Sequence, residues 1–134
     1  SQNCVQRNER VCIPYIKQTT ETMKTVSYAV IINNIYGQKK NFKASVEFRR
    51  GILEDGTETD DVDVLEWILE DPGSELENNA HTIIEIPIRP PSGTKEGAYI
   101  FNVNVCFNAD DNPSSKCPDG SLYSPTQQIT VDVY

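Results

Sequence analysis

The side chains that could do chemistry in this chain are few and unevenly placed. There is one histidine, His81, four cysteines at positions 4, 12, 106 and 117, and a stretch from Gly51 to Ile88 that holds twelve acids and no Lys or Arg. A general base needs the proton it takes within hydrogen-bond reach. His81 opens the run HTIIEIPI, and spacing sets no Ser, Cys or carboxylate beside it. It reads as a solvated loop histidine. A blue-copper site would need Cys, His and Met converging on one loop, whereas Met23, His81 and Cys106 stand far apart and in the wrong order. Paired carboxylates for glycoside cleavage would need a cleft that the sparse aromatics do not supply. The expectation is a protein that is not an enzyme, with no catalytic residue.

The cysteines point to covalent structure. Zinc ligands come in closely spaced pairs, and this sequence has no CxxC. Disulfides fit better and imply an oxidising compartment, hence secretion or the cell surface. Of the three pairings, Cys4 with Cys12 and Cys106 with Cys117 is preferred because both close short polar loops; crossed pairs joining the N-terminal segment to the late loop stay open.

Charge suggests where a partner would bind. The basic cluster Lys39, Lys40, Lys43, Arg49 and Arg50 directly precedes the acidic stretch. One reading sets this basic face against the acidic region of a second copy, a heterologous contact that builds chains. The acids Asp55, Glu58, Asp60, Asp61 and Asp63 are hard oxygen ligands and weak candidates for Ca²⁺, although their spacing is not that of an EF-hand loop. A solvated acidic loop is the plainer reading, so no cofactor is expected, with Ca²⁺ as the alternative. The 18-residue segment from Asn108 to Pro125 is long for a connection in a compact domain. Its Asn108, Asp110, Asp111 and Tyr123 are candidates for contact with a protein or glycan.

The elements that must position these residues have period two. In GAYIFNVNVCF, residues Tyr99, Phe101, Val103, Val105 and Phe107 alternate with Asn102, Asn104 and Cys106; NFKASVEFRR, TVSYAVIIN and QQITVDVY alternate likewise. That is the pattern of strands with one face on a core and one in water. Turn pairs such as Asp55-Gly56 and Asp119-Gly120 separate the runs. Seven strands are expected, near 11–17, 25–33, 41–50, 62–70, 81–88, 97–107 and 126–134, forming an all-β, immunoglobulin-like antiparallel β-sandwich. The segment VDVLEWILE also suits a helical turn, and Trp67 should cap the core. With no cysteine in the second strand, Cys106 cannot make an inter-sheet bridge. The length, 134 residues, suits a single domain over 1–134.

A net charge of −8 and a pI near 4.6 disfavour nucleic acid as a partner. No run approaches the roughly 20 apolar residues that span a bilayer, so no direct membrane insertion by this segment is expected.

The order YAVIINNIYGQKKNFKASVEF, then Trp67, then NNAHTIIEIPIRPPSGTKEGAYIFNVNV resembles the immunoglobulin-like modules of prokaryotic, above all archaeal, surface proteins, the NEW3 and CARDB-like group. Pro91, Gly93, Thr94, Gly97 and Tyr99 supply the last step of that pattern, the passage into the 97–107 strand. The resemblance spans roughly 25–107. A single module of this kind also resembles the exported head of an archaeal pilin-like or archaellum-associated protein. It implies a non-enzymatic extracellular domain making contacts with other surface or appendage proteins, self-association included. The alternative is a carbohydrate- or calcium-binding accessory module of a secreted protein.

Overall fold

A computed structural model describes residues 4, 9–69, 72–107, 117 and 120–134. The alternating runs become strands: β1 (Val11–Cys12), β2 (Lys17–Thr20), β3 (Val26–Asn33), β4 (Lys40–Leu53), β5 (Glu58–Thr59), the short helix α1 (Val64–Trp67), β6 (Gly73–Leu76), β7 (His81–Ile88), β8 (Gly97–Phe107) and β9 (Gln127–Val133). They form two sheets. The smaller has the order β1-β3-β7, and the larger β2-β9-β8-β4-β5, with β6 also on β4. Tyr28, Val30, Ile32, Ile84, Ile86 and Ile88 of the small sheet face Phe42, Ala44, Phe101, Val103, Val105, Ile129 and Val131 of the large one, all buried. Each large apolar side chain so enclosed contributes about 1.5–3 kcal/mol.

The disulfides are Cys4–Cys12 and Cys106–Cys117, separated by 8 and 11 residues. The pairing that closes short loops is therefore the one present, and the crossed pairs are excluded. Pro87 lies in β7, at the edge of the small sheet, where its carbonyl accepts from Leu69 N at 3.4 Å. Its missing N–H thus falls on the side away from β3, where no ladder partner is lost.

Three expectations need correction. The strand expected over 11–17 divides at Pro14: β1 pairs with β3, and β2 crosses to the other sheet and pairs with β9 in parallel. The sandwich is antiparallel apart from that pair. The strand expected over 62–70 is not formed, because Asp63 caps α1 by accepting from Leu65 N at 3.0 Å. That single turn delivers Trp67 onto Tyr99 and Phe101, with ring centroids 4.8 and 5.6 Å apart. Finally, the third strand runs on to Leu53 because a bulge at Arg49 resets its alternation: Phe48 pairs with Phe101, but Arg50 with Ile100. Even-numbered residues point inward before the bulge, and Gly51 and Leu53 do so after it.

Tyr28 ties the two sheets together. Its ring is buried and its hydroxyl donates to the carbonyl of Thr130 across the sandwich. Burial raises its pKa above the ordinary phenol value. Tyr28→Phe keeps the ring and removes the donor, so urea unfolding should show a loss of about 1 kcal/mol; an unchanged midpoint would show that the bond contributes nothing.

Candidate interaction surface

At one end of the sandwich the β3–β4 loop, the end of β8 and residues 120–123 converge. Asn34 organises the loop. It is fully buried, its amide nitrogen donates to the carbonyls of Gln38 and Leu76 at 2.8 and 2.9 Å, and its side-chain oxygen accepts from Tyr36 N at 3.1 Å. A buried amide satisfied in this way fixes the loop around it. The consequence is that Ile35 and Tyr36 are pushed outward, 41% and 46% exposed. Tyr36 meets Phe107 edge to face at 4.9 Å, and the Lys40 ammonium lies 5.2 and 5.3 Å from those two rings. Leu122, half-exposed, pairs with Cys106 in an isolated bridge at the same end of the sandwich.

Tyr123, expected on a loop surface, is instead the pillar beneath this end. It is 1% exposed, stacks against Phe42 and Phe107, donates its hydroxyl proton to Asn33 O at 2.6 Å and accepts from Ile35 N at 2.9 Å. The Arg10 guanidinium covers its ring at 4.8 Å. Its partners on the expected loop, Asn108, Asp110 and Asp111, lie outside the described residues.

The basic cluster does not act as one face. Lys39 pairs with Glu75 and Glu77 at 2.8 and 3.3 Å, contacts that raise its pKa, and Arg50 pairs with Glu58 at 3.6 Å. Lys43 is buried on the outer side of the large sheet, in register with Cys106. Arg49 sits exposed at the bulge. Lys40 remains, poised over aromatic rings, with no carboxylate partner among the described residues.

The opposite end of β8 is acidic. Asp61, Asp63 and Glu66 line a cavity of about 350 Å³ together with Lys95, Thr94, Trp67 and Tyr99. Of the proposed calcium acids, only Asp61 and Asp63 line it. Asp55 accepts from the backbone and hydroxyl of Thr57, contacts that lower its pKa, while Glu58 holds Arg50 and Asp63 caps α1. Among the described residues no three His, Cys, Asp or Glu side chains are grouped to hold a metal ion. Close by, the Glu54 carboxyl is held above its ordinary range by a hydrogen bond to the Glu96 carboxyl and by that group's charge. His81 is exposed at the start of β7, paired in register with Asn33.

No protein-family profile and no curated protein sequence matches this chain. Solved structures do. The chain is similar over its whole length to the ASH/PapD-like domain 7 of human CEP192, at 13% identity, a TM-score of 0.58 and 92% of that chain. It is similar over 93% of its length to 7% of E. coli alpha-2-macroglobulin, at 15% identity and a TM-score of 0.53. It also matches, over 87% of its length, 22% of a family 123 glycoside hydrolase from Clostridium perfringens, at 11% identity and a TM-score of 0.50. Likeness at such identities speaks to fold alone. With the two facing sheets it defines an immunoglobulin-like β-sandwich.

Two measurements check this geometry. Tyr123→Phe strips both hydroxyl contacts from the loop carrying Ile35, and chemical denaturation should register a loss of about 2 kcal/mol; a loss no larger than that of an ordinary surface change would contradict the pillar role. Glu54 has its folded pKa raised, so its stabilising proton is bound at low pH and lost as pH rises through the folded value, leaving two repelling carboxylates. Glu54→Gln should therefore raise the melting temperature at pH 7, a gain that disappears once pH falls below the ordinary value of 4.5. An equal gain at both pH values would refute the pairing.

Proposed function

We propose that this chain is a non-enzymatic extracellular module that makes protein contacts at a cell surface or within a surface appendage, using the end of the sandwich that carries Ile35, Tyr36 and Leu122. The observation that supports it most is the presence at that end of three exposed large apolar side chains and of a cation held over aromatic rings. Exposed aromatic and large apolar side chains are what protein interfaces gather at their centres. Two disulfides favour an oxidising environment, and among the described residues no helix is long and apolar enough to cross a membrane. The setting we assign by resemblance is that of prokaryotic surface modules, including pilin-like heads.

The test is retention of cell-envelope proteins from the producing organism on immobilised domain. Wild type should retain a saturable partner, and Tyr36→Ala combined with Leu122→Ser should lose at least ~10-fold in affinity, as hot-spot truncations do, with an unchanged melting temperature. Equal retention by both proteins would sink the assignment of this surface.

A further inference from the structure

We infer that the partner is a second copy of this chain, and that the Tyr36–Lys40 end of one copy docks on the acidic cavity at the other end of the next. The inference rests on the protein-contact reading above and specifies its partner.

The two strands that run the length of the large sheet separate the surfaces. β4 begins at Lys40 and ends at Leu53, which lines the cavity; β8 begins at Gly97, beside the cavity residue Tyr99, and ends at Phe107. Eight residues of extended chain at about 3.4 Å each put Tyr99 and Phe107 about 27 Å apart. No copy can bring its own two ends together, so a contact between them must join different molecules.

The ends are complementary in charge. On the acidic end, three carboxylates face the cavity against the single cation Lys95. Glu54, Asp55 and Glu96 add to the field close by. On the other end Lys39 is taken up by Glu75 and Glu77, two carboxylates to one ammonium, so the cations left to face a partner are Lys40 and Arg10, which lie over aromatic rings. In a protein of net charge −8, two copies meeting at like ends around the cavity would repel. An alkylammonium facing the carboxylates is the arrangement that the field favours.

They are complementary in texture as well. The carboxylates line the walls of an open cavity instead of converging as metal ligands do, which suits a bulky cation on an apolar stem better than a compact ion. Leu53, Val62 and Pro91 line the same cavity and can take the methylenes of a lysine. Outside it, Leu65 is 75% exposed on α1, an apolar rim to set against Ile35 and Tyr36. Because the two surfaces differ, the contact is heterologous, and repeating it extends a chain of copies.

Sedimentation velocity on the intact chain tests this. Wild type at low ionic strength should show an average mass that rises with protein concentration and falls back to monomer in ~0.5 M salt, where charges are screened within a few Å. Lys40→Glu, or the milder Lys40→Gln, should be monomeric under the same conditions with an unchanged melting temperature. Asp61→Lys combined with Glu66→Lys should be monomeric as well. Mixing Lys40→Gln with the acidic-end variant leaves one working contact. Each Lys40→Gln molecule keeps a working cavity and each acidic-end molecule a working Lys40, while a neutral amide at position 40 has nothing to offer the basic cavity, so the mixture should form dimers and nothing larger. Wild type that stays monomeric at every concentration, or a closed dimer that survives both variants, overturns the inference. If wild type is monomeric while envelope proteins still bind through Tyr36 and Leu122, only the identity of the partner is lost; if that binding also fails, the contact reading falls with it.

Discussion

The inner side of β8 is the constraint on which the rest of this structure depends. Tyr99, Phe101, Val103 and Val105 are all buried, and β8 is flanked by β4 over eleven paired residues and by β9 over seven. A strand held on both edges and on one face cannot slip by one residue without turning every one of these side chains to water. That fixed register sets the ends. Tyr99 must meet Trp67, and Phe107 must meet Tyr36. The cavity and the aromatic patch are thus the two places where the same ladder runs out of core.

Charge is arranged around that ladder in two ways. Part of the acidic stretch is spent within the chain, as Glu58, Glu75 and Glu77 on the short strands and turns beside β4 offset Arg50 and Lys39. Exposed pairs of this kind add little stability, and their main effect is to erase a basic face that the linear sequence advertises. Among the described residues the remaining acids around α1 are offset only by Lys95, which leaves that end strongly negative. Sequence order put the basic and acidic residues side by side; the hairpins folded them onto one another.

The strands β3, β4, β7, β8 and β9 were legible because period-two alternation on a half-buried sheet leaves a direct trace in residue type. The split of the first strand was not, since a four-residue strand such as Lys17–Thr20, mostly polar and paired at an edge, has no apolar period to read. The bulge at Arg49 hid the end of β4 by shifting inward positions from even to odd. Helix α1 was visible only as an ambiguity in VDVLEWILE, which Asp63 resolves by capping. For the candidate surface, the disulfide pairing followed from loop length, and Lys40 was identified by charge. Tyr123 was misplaced because a polar neighbourhood in sequence concealed a buried ring. Ile35 and Tyr36 escaped notice although a signal was there: two large apolar residues in a turn between Asn34 and Gly37, where nothing about the turn requires them.

The crossing of the chain at Pro14 also has a mechanical side. Because β2 and β9 lie parallel, with Lys17 beside Thr130 and Thr20 beside Val133, a pull applied between the start of β2 and the end of β9 drags the two strands lengthwise past each other. Their hydrogen bonds then share the load as a group, in shear, instead of parting one at a time as the teeth of a zip would. An edge strand of four residues gives the sandwich a clasp against stretching.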